Sequence, residues 1–271
     1  MSEPTAFGHL PPIPDPVLHT VENETSFPHL AFDKMGKGRL FYDVIVCKAT
    51  FTLAPGRLQP AEDAQPIALA DRYWDEEHAE TSSLKIAGDV VLTKPGADLL
   101  ITGTARPFDG KPRKEWFAGV RLSRDGQPVA EHRLRLLGPR FWQHRLLRGW
   151  RLSRPVPTDA VDLRHERAYG GHYPARAPKE GEPPEDVYAV NPSGCGYWDI
   201  KRLDKGCPHP APQIETLGQP VETMDADYPL VAPSPVARFW ADRTRYGGTY
   251  DEAWMAHYTS CPIPDFPADF D

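Results

Sequence analysis

The pattern of apolar and polar positions in the first part of the chain is typical of β-strands. Residues 39–53, RLFYDVIVCKATFTL, are rich in β-branched and aromatic side chains and precede the turn sequence APGR at 54–57. Both faces of this run are largely apolar as far as Cys47, which predicts a central strand covered on both sides. Residues 97–105, ADLLITGTA, predict a second strand.

An Asp-Gly pair marks the clearest turn. Residues 115–123 and 128–137 flank Asp125-Gly126, and this dipeptide favours the positive φ angles of a tight hairpin. Residues 139–154 continue as at least one further strand. Strands that follow strands, with no helical period between them, predict an antiparallel sheet architecture.

Helical patterns occur only near the C-terminal end. Residues 234–248, SPVARFWADRTRYGG, begin with a Ser-Pro cap and close with two glycines. Residues 249–261 open with the Thr-x-x-Glu spacing of a capping box, and Pro262 ends them. One face of this second helix would carry Tyr250, Ala253, Trp254, His257 and Tyr258.

These patterns predict a mainly β protein with an antiparallel, sandwich-like core, long loops and two short C-terminal helices. We expect an extended, Pro-rich arm at 1–30, a β-rich core at 31–215 with a long loop at 172–215, and a C-terminal segment at 216–271 that holds the helices. The chain contains 31 Pro and 21 Gly in 271 residues, which suits short strands joined by turns and argues against a helical bundle.

Charge and cysteine content limit the kinds of partner and the cellular compartment that we expect for this protein. The formal net charge is −7, which disfavours binding to nucleic acid through its phosphates. The four cysteines are widely spaced, as in reduced cytosolic proteins. The sequence contains no apolar run that predicts a signal peptide or a membrane-spanning helix, so we expect a cytoplasmic protein with no membrane insertion.

The strings that carry hydrolase or nucleotide chemistry are absent. There is no G-x-S-x-G elbow and no phosphate-binding loop. Cys195 lies among glycines in NPSGCGYW, and a thiol nucleophile would need a basic partner such as His165, His172 or His209. We predict no catalytic residue and keep a hydrolase that uses Cys195 or a His/Asp set as the alternative.

One short segment has half the composition of a zinc site. Cys207-Pro-His209, together with Cys195, provides three potential ligands but neither of the usual C-x2–4-C or H-x3–5-H pairs. We therefore predict no metal site and no cofactor.

Residues 132–154, HRLRLLGPRFWQHRLLRGWRLSR, form the most unusual stretch. It holds seven arginines, two tryptophans and no acidic residue, in a chain that is net acidic. Arginine with tryptophan is typical of protein interfaces, could also bind nucleic acid, and equally fits an ordinary exposed strand face. The candidate contact residues are Arg140, Trp142, Arg145, Arg148 and Trp150.

Five strings, in order along the chain, resemble a known bacterial family. They are CKATFTL (47–53), SLKIAGDVVLTKPGADLLITGTA (83–105), HERAYGG (165–171), NPSGCGYW (191–198) and GGTYDEAWMAHYTSCPIPDFPADFD (247–271). The family is catalogued as a domain of unknown function, DUF2169, and its members look like effector adaptors and chaperones of the type VI secretion system.

The resemblance implies a function in effector loading. Such a protein would hold a toxic effector, often through a PAAR-like domain, help to mount it on the VgrG spike, and catalyse no reaction. An immunity protein that blocks a toxin is a further alternative.

The matched strings also suggest structural roles. Lys94 and Asp98 could pair across a turn. Glu166 and Arg167, followed by Tyr169, could anchor a hydrogen-bond network beside Gly170-Gly171, and Asn191 begins a turn of the same kind.

Overall fold

A computed structural model describes residues 20–35, 41–90, 99–174, 185–198, 200 and 203–237. Over these residues the backbone forms eighteen short strands and a 3₁₀ turn at His165–Arg167. The strands are β1 His29–Met35, β2 Phe41–Cys47, β3 Phe51–Ala54, β4 Arg57–Pro60, β5 Arg72–Tyr73, β6 Leu84–Ile86, β7 Thr104–Ala105, β8 Glu115–Arg124, β9 Gln127–Leu137, β10 Arg140–Arg145, β11 Gly149–Leu152, β12 Val161–Asp162, β13 Tyr169–Gly170, β14 His172–Pro174, β15 Glu185–Val187, β16 Cys195–Gly196, β17 His209–Ala211 and β18 Ile214–Thr216.

The predicted mainly β class is confirmed: over the described residues the strands pair antiparallel, except for the short parallel pair of β13 with β16. An isolated bridge between Ala168 and Ile214 is also parallel. Residues 235–237, where the first C-terminal helix was expected to begin, are not helical. The rest of that helix and the whole second helix lie outside the described residues, as does most of the predicted arm, 1–19. The described ranges contain no α-helix, so the two helices have no support here.

The chain divides into two compact units, Met1–Leu69 with Asp89–Leu92, and Ala70–Gly88 with Thr93–Asp271. In the first unit β1 pairs with β2, and β3 with β4. No side chain that the structure describes in this unit is fully buried. The expectation of one central, covered strand at 39–53 is therefore wrong: the run is broken after Cys47, and Ile45 and Leu53 are 58% and 85% exposed.

The second unit contains a three-stranded sheet in the order β18-β9-β8. The β8–β9 hairpin is the one predicted around Asp125-Gly126, and both turn residues have positive φ, 51° and 78°. Alternation places Trp116, Leu134 and Leu136 on the buried face of this sheet.

Residues far apart in sequence complete the core of the second unit. Ile214 of β18 lies opposite Leu136 and is fully buried, and Val221 and Met224 pack into the same cluster. Residues 172–215 were expected to be a long irregular loop. That expectation is wrong for β17 and β18, which carry core residues.

Two other predicted strands differ in extent. Of the strand expected at 97–105, residues 99–103 are irregular and only β7 forms, paired with β12. The amide of Ile101 donates to the carbonyl of Pro233 (2.7 Å) and so is not available to a sheet neighbour. Residues 139–154 form two strands, β10 and β11, in a second three-stranded sheet with the order β11-β10-β17.

Candidate partner-binding site

The basic segment at 132–154 divides into buried and exposed parts. Along β10 the side chains alternate between the two faces of the sheet, so Arg140 and Trp142 point inward and are only 7% and 3% exposed. Phe141, between them, points outward. Arg140 and Trp142 therefore belong to the core and are not available to a partner, contrary to their selection as contact residues.

Arg140 is held in a buried ion network. Glu215 is fully buried, and its carboxylate accepts hydrogen bonds from the Arg140 guanidinium, from the amide of Val221 (2.9 Å) and from Arg135 Nη1 (3.2 Å). Arg140 Nε also donates to the carbonyl of Pro212 (3.0 Å). A charge in the interior needs such partners, so the role of Arg140 is structural.

The exposed part is the turn of the β10–β11 hairpin, Arg145–Arg148, which we call the hairpin tip. Arg145 lies opposite Gly149, whose φ of +64° allows the chain to reverse after three residues. Leu146 and Leu147 are 93% and 94% exposed.

The two arginines of the hairpin tip flank these leucines and are themselves exposed. Arg145 Nη2 donates to the Gln143 side chain (2.8 Å), and over the described ranges neither Arg145 nor Arg148 has an ion-pair partner. The hairpin tip therefore presents an apolar pair between two unneutralised cations.

An aromatic row supports the base of this hairpin. The ring of Trp150 lies 5.4 Å from that of His144 and 5.4 Å from that of His209, and His209 lies 5.1 Å from Trp198. Trp150 is half-buried in this row. These edge contacts join β10, β11 and β17, so the hairpin tip extends from a packed base.

The residues predicted to have structural roles form a network at the 3₁₀ turn. The Glu166 carboxylate accepts from the amide (3.1 Å) and the hydroxyl (2.8 Å) of Ser83. Tyr169 is buried, and its hydroxyl donates to the carbonyl of Met224 (2.8 Å). Asn191 Nδ2 donates to the carbonyls of His165 (3.0 Å) and Tyr169 (2.9 Å).

The other predicted structural residues contribute differently. Arg167 is exposed and joins the network through its backbone carbonyl, which accepts from the amide of Gln213 (2.8 Å). Lys94 and Asp98 lie outside the described residues.

Burial shifts the pKa values of two groups considered for catalysis, Cys195 and His165. Burial raises the pKa of the Cys195 thiol to about 12, so it stays protonated at neutral pH. Burial lowers the pKa of His165 to about 4, and its Nε2 donates to the carbonyls of Ser234 (3.1 Å) and Pro235 (3.2 Å).

Cys207 and His209, two of the three residues considered as zinc ligands, form hydrogen bonds with Asp204. The Cys207 thiol donates to Asp204 Oδ2 (3.4 Å), and this hydrogen bond raises the pKa of the thiol. His209 Nε2 donates to the carbonyl of Asp204 (3.0 Å). Among the residues with described positions, no three His, Cys, Asp or Glu side chains form a cluster that could hold a metal ion.

Sequence reasoning missed the two leucines of the hairpin tip because it weighed arginine and tryptophan as interface residues. The available signal was local: Leu146-Leu147 precede Arg148-Gly149, and a glycine at that position is typical of the end of a three-residue hairpin loop.

In the part of the chain that the structure describes, no helix is long and apolar enough to cross a membrane.

Comparison with known proteins gives one match. The model of a family described as an uncharacterized protein conserved in bacteria (DUF2169) matches residues 39–271. No curated protein and no solved structure matches the chain.

Proposed function

The chain belongs to this bacterial family, and from that premise we propose that it is an adaptor/chaperone for a type VI secretion effector. It would bind the effector in the cytoplasm, through a PAAR-like domain, and help to load it onto the VgrG spike. The five sequence strings that resemble such adaptors support this proposal, and the hairpin tip supplies a contact surface for it.

The observation that carries the proposal is the exposure of Leu146 and Leu147 at the hairpin tip. Covering a leucine side chain contributes about 1.5–3 kcal/mol, so two leucines can offset much of the cost of ordering an interface. A protruding apolar pair fits a pocket on a partner protein.

The charge around the leucines indicates the character of that pocket. The whole chain carries a net charge of −7, yet Arg145 and Arg148 make the hairpin tip locally positive. An apolar pocket rimmed by carboxylates would complement it, and the charge pairs would favour one orientation of the partner.

The protonation state of the Cys195 thiol supports a binding role over catalysis. A protonated Cys195 is a weak nucleophile, because the thiolate is the reactive form. We therefore propose that the protein acts by binding and not as a hydrolase.

The test is affinity purification from the native host, with mass spectrometry of the proteins that co-purify. We expect a type VI effector with a PAAR-like domain to be enriched with the wild-type chain, and its recovery to fall at least tenfold with the L146S/L147S double variant. The thermal unfolding midpoint should not change, because the two leucines bury almost no surface.

The matched control is L53S/L58S, which alters two exposed leucines that face each other across β3 and β4. This variant should recover the effector as the wild type does. If the wild type enriches no secretion effector, the proposed function is wrong. If L146S/L147S recovers as much effector as the control, the assignment of the hairpin tip is wrong.

A further inference from the structure

A second surface of the molecule has the composition of a binding site. It is an open cleft of about 530 Å³ within the second unit. Its walls include Trp74, Lys85, Thr102, Thr104, Asp162 and Arg164. The volume is within the range of ligand-binding clefts.

Two cations share one aromatic ring in this cleft. Lys85 Nζ lies 5.1 Å and the Arg164 guanidinium carbon 4.8 Å from the centroid of the Trp74 ring. Each cation is attracted to the indole, but the two positive charges repel each other. A bound anion would relieve that repulsion.

Within the described residues, the protein's own carboxylates neutralise these two cations only in part. Among the residues that the structure places, Lys85 has no ion-pair partner. Arg164 Nε forms a long ion pair with the carboxylate of Glu166 (3.9 Å), and that carboxylate also accepts hydrogen bonds from Ser83. Arg164 Nε is buried and has no hydrogen-bond partner over the same residues.

The hydrogen-bond network at the 3₁₀ turn holds Arg164, the residue just before that turn, in position. The bond between Glu166 and Ser83 joins the 3₁₀ turn to the residue that precedes β6, the strand that carries Lys85. The amide of Trp74 donates to the carbonyl of Ser83 (3.1 Å), which holds the indole beside the same strand. Glu166 is thus a positioning residue for the cleft.

The cleft also has an acceptor. Asp162 lines the cleft, and its Oδ1 accepts from the hydroxyl of Thr104 (2.8 Å); a carboxylate can accept further hydrogen bonds through its second oxygen. A ligand that complements the cleft therefore carries an anionic group for Lys85 and Arg164 and an N–H donor for Asp162. A peptide with an acidic side chain offers both groups.

We propose that this cleft binds an acidic segment of the partner protein, with a carboxylate of that segment between Lys85 and Arg164. This inference rests on the proposed binding function but not on the identity of the partner. It adds a second contact, formed by residues other than those of the hairpin tip.

The test uses a fluorescein-labelled peptide with six consecutive glutamates and a matched peptide with six glutamines, both titrated with the full chain. We expect fluorescence anisotropy to report saturable binding of the glutamate peptide alone. The Lys85→Gln and Arg164→Gln variants should each weaken that binding at least tenfold, and the double variant should abolish it.

The matched controls are Lys111→Gln and Lys205→Gln, which remove one exposed positive charge elsewhere in the same unit. They should change the affinity less than twofold. Failure of the wild type to bind the glutamate peptide, or an equal loss in the controls, would overturn the proposal.

The two proposals can fail separately. If K85Q/R164Q loses the glutamate peptide and also recovers less effector from the host, both stand. If that variant recovers the effector as well as the wild type, the cleft is not a partner contact, although the adaptor function stands. The peptide titration contains no effector, so its outcome does not bear on the proposed function.

Discussion

The contribution of an arginine ion pair to the free energy of unfolding depends on how deeply the pair is buried, as Arg140 and Arg121 show. Arg140 is buried against the fully buried Glu215, whereas Arg121 meets Glu131 at 2.8 Å on the exposed face of the β8–β9 hairpin. An exposed pair contributes about 0–1 kcal/mol. Removal of one partner from a buried pair leaves a charge without compensation in the interior.

We therefore expect Arg140→Met to lower the free energy of unfolding by about 3–5 kcal/mol, because it leaves Glu215 with only its bonds to Arg135 and Val221. Arg121→Met is the matched control and should cost less than about 1 kcal/mol. Urea denaturation of the two variants measures both values. Equal costs would show that the buried network is not needed for stability.

His165 predicts how stability depends on pH. Its pKa is about 4 in the folded protein, because burial disfavours the charged ring, and about 6.5 in an unfolded chain. The unfolded state therefore binds the proton first as the pH falls. The contribution of neutral His165 to the free energy of unfolding is therefore fully present above pH 6.5. It is lost as the pH falls from 6.5 to 4, by an amount on the order of 3 kcal/mol.

Replacing His165 by Gln should remove this pH dependence, since an amide can still donate toward the carbonyls of Ser234 and Pro235 without taking up a proton. Urea midpoints measured at pH 7 and pH 5 should differ less in His165→Gln than in the wild type. His29→Gln, at an exposed histidine, should behave as the wild type does. A wild type that is equally stable at both pH values would contradict the assignment.

At the scale of elements, the network around Asn191 depends on a close approach of two chain segments. Gly170 has a φ of +144°, and a Cβ at this position would lie 2.2 Å from the carbonyl oxygen of Asn191. Only glycine fits there, which explains the first glycine of the pair that ends HERAYGG.

Gly170→Ala should therefore destabilise the fold by about 3 kcal/mol or more, through both the clash and the backbone conformation. The control is Gly110→Ala, which has a positive φ of 67° but no atom within 4 Å of the added Cβ. It should cost about 1–2 kcal/mol. Thermal unfolding of the two variants compares them, and similar midpoints would mean that the approach to Asn191 can relax.

The elements that could be predicted from sequence are those specified by neighbouring residues. The β8–β9 hairpin is specified by Asp125-Gly126 between alternating segments. The pairing of Ile214 with Leu136 depends on distant residues, so no local pattern indicated that β18 belongs to the core. The alternation along β10 can be seen in the sequence, but which of its faces is buried depends on packing, and the buried face turned out to carry Arg140 and Trp142, which were expected to contact a partner.

At the scale of the whole molecule, the two units differ in how they are stabilised. The buried apolar clusters, around Leu136 and Leu84, are both in the second unit. Among the side chains of the first unit whose burial the structure describes, none is fully buried. Regions with little buried apolar surface open at a lower free energy than the core.

Hydrogen exchange at neutral pH should therefore be at least tenfold faster for amides in the β1–β2 pair than for those in the β8–β9 pair. Mass spectrometry of peptic fragments from one labelled sample compares both regions under the same conditions. Identical protection would mean that the two units open only together.

The pairing of β18 with β9 also has a consequence for biosynthesis. A ribosome releases the β8–β9 hairpin long before Ile214 and Glu215 emerge, because chains leave the tunnel from the N-terminal end. During that interval Trp116, Leu134 and Leu136 lack their cover, and Arg140 lacks its carboxylate. The nascent chain therefore passes through a period of exposed apolar surface, during which general chaperones would need to protect it.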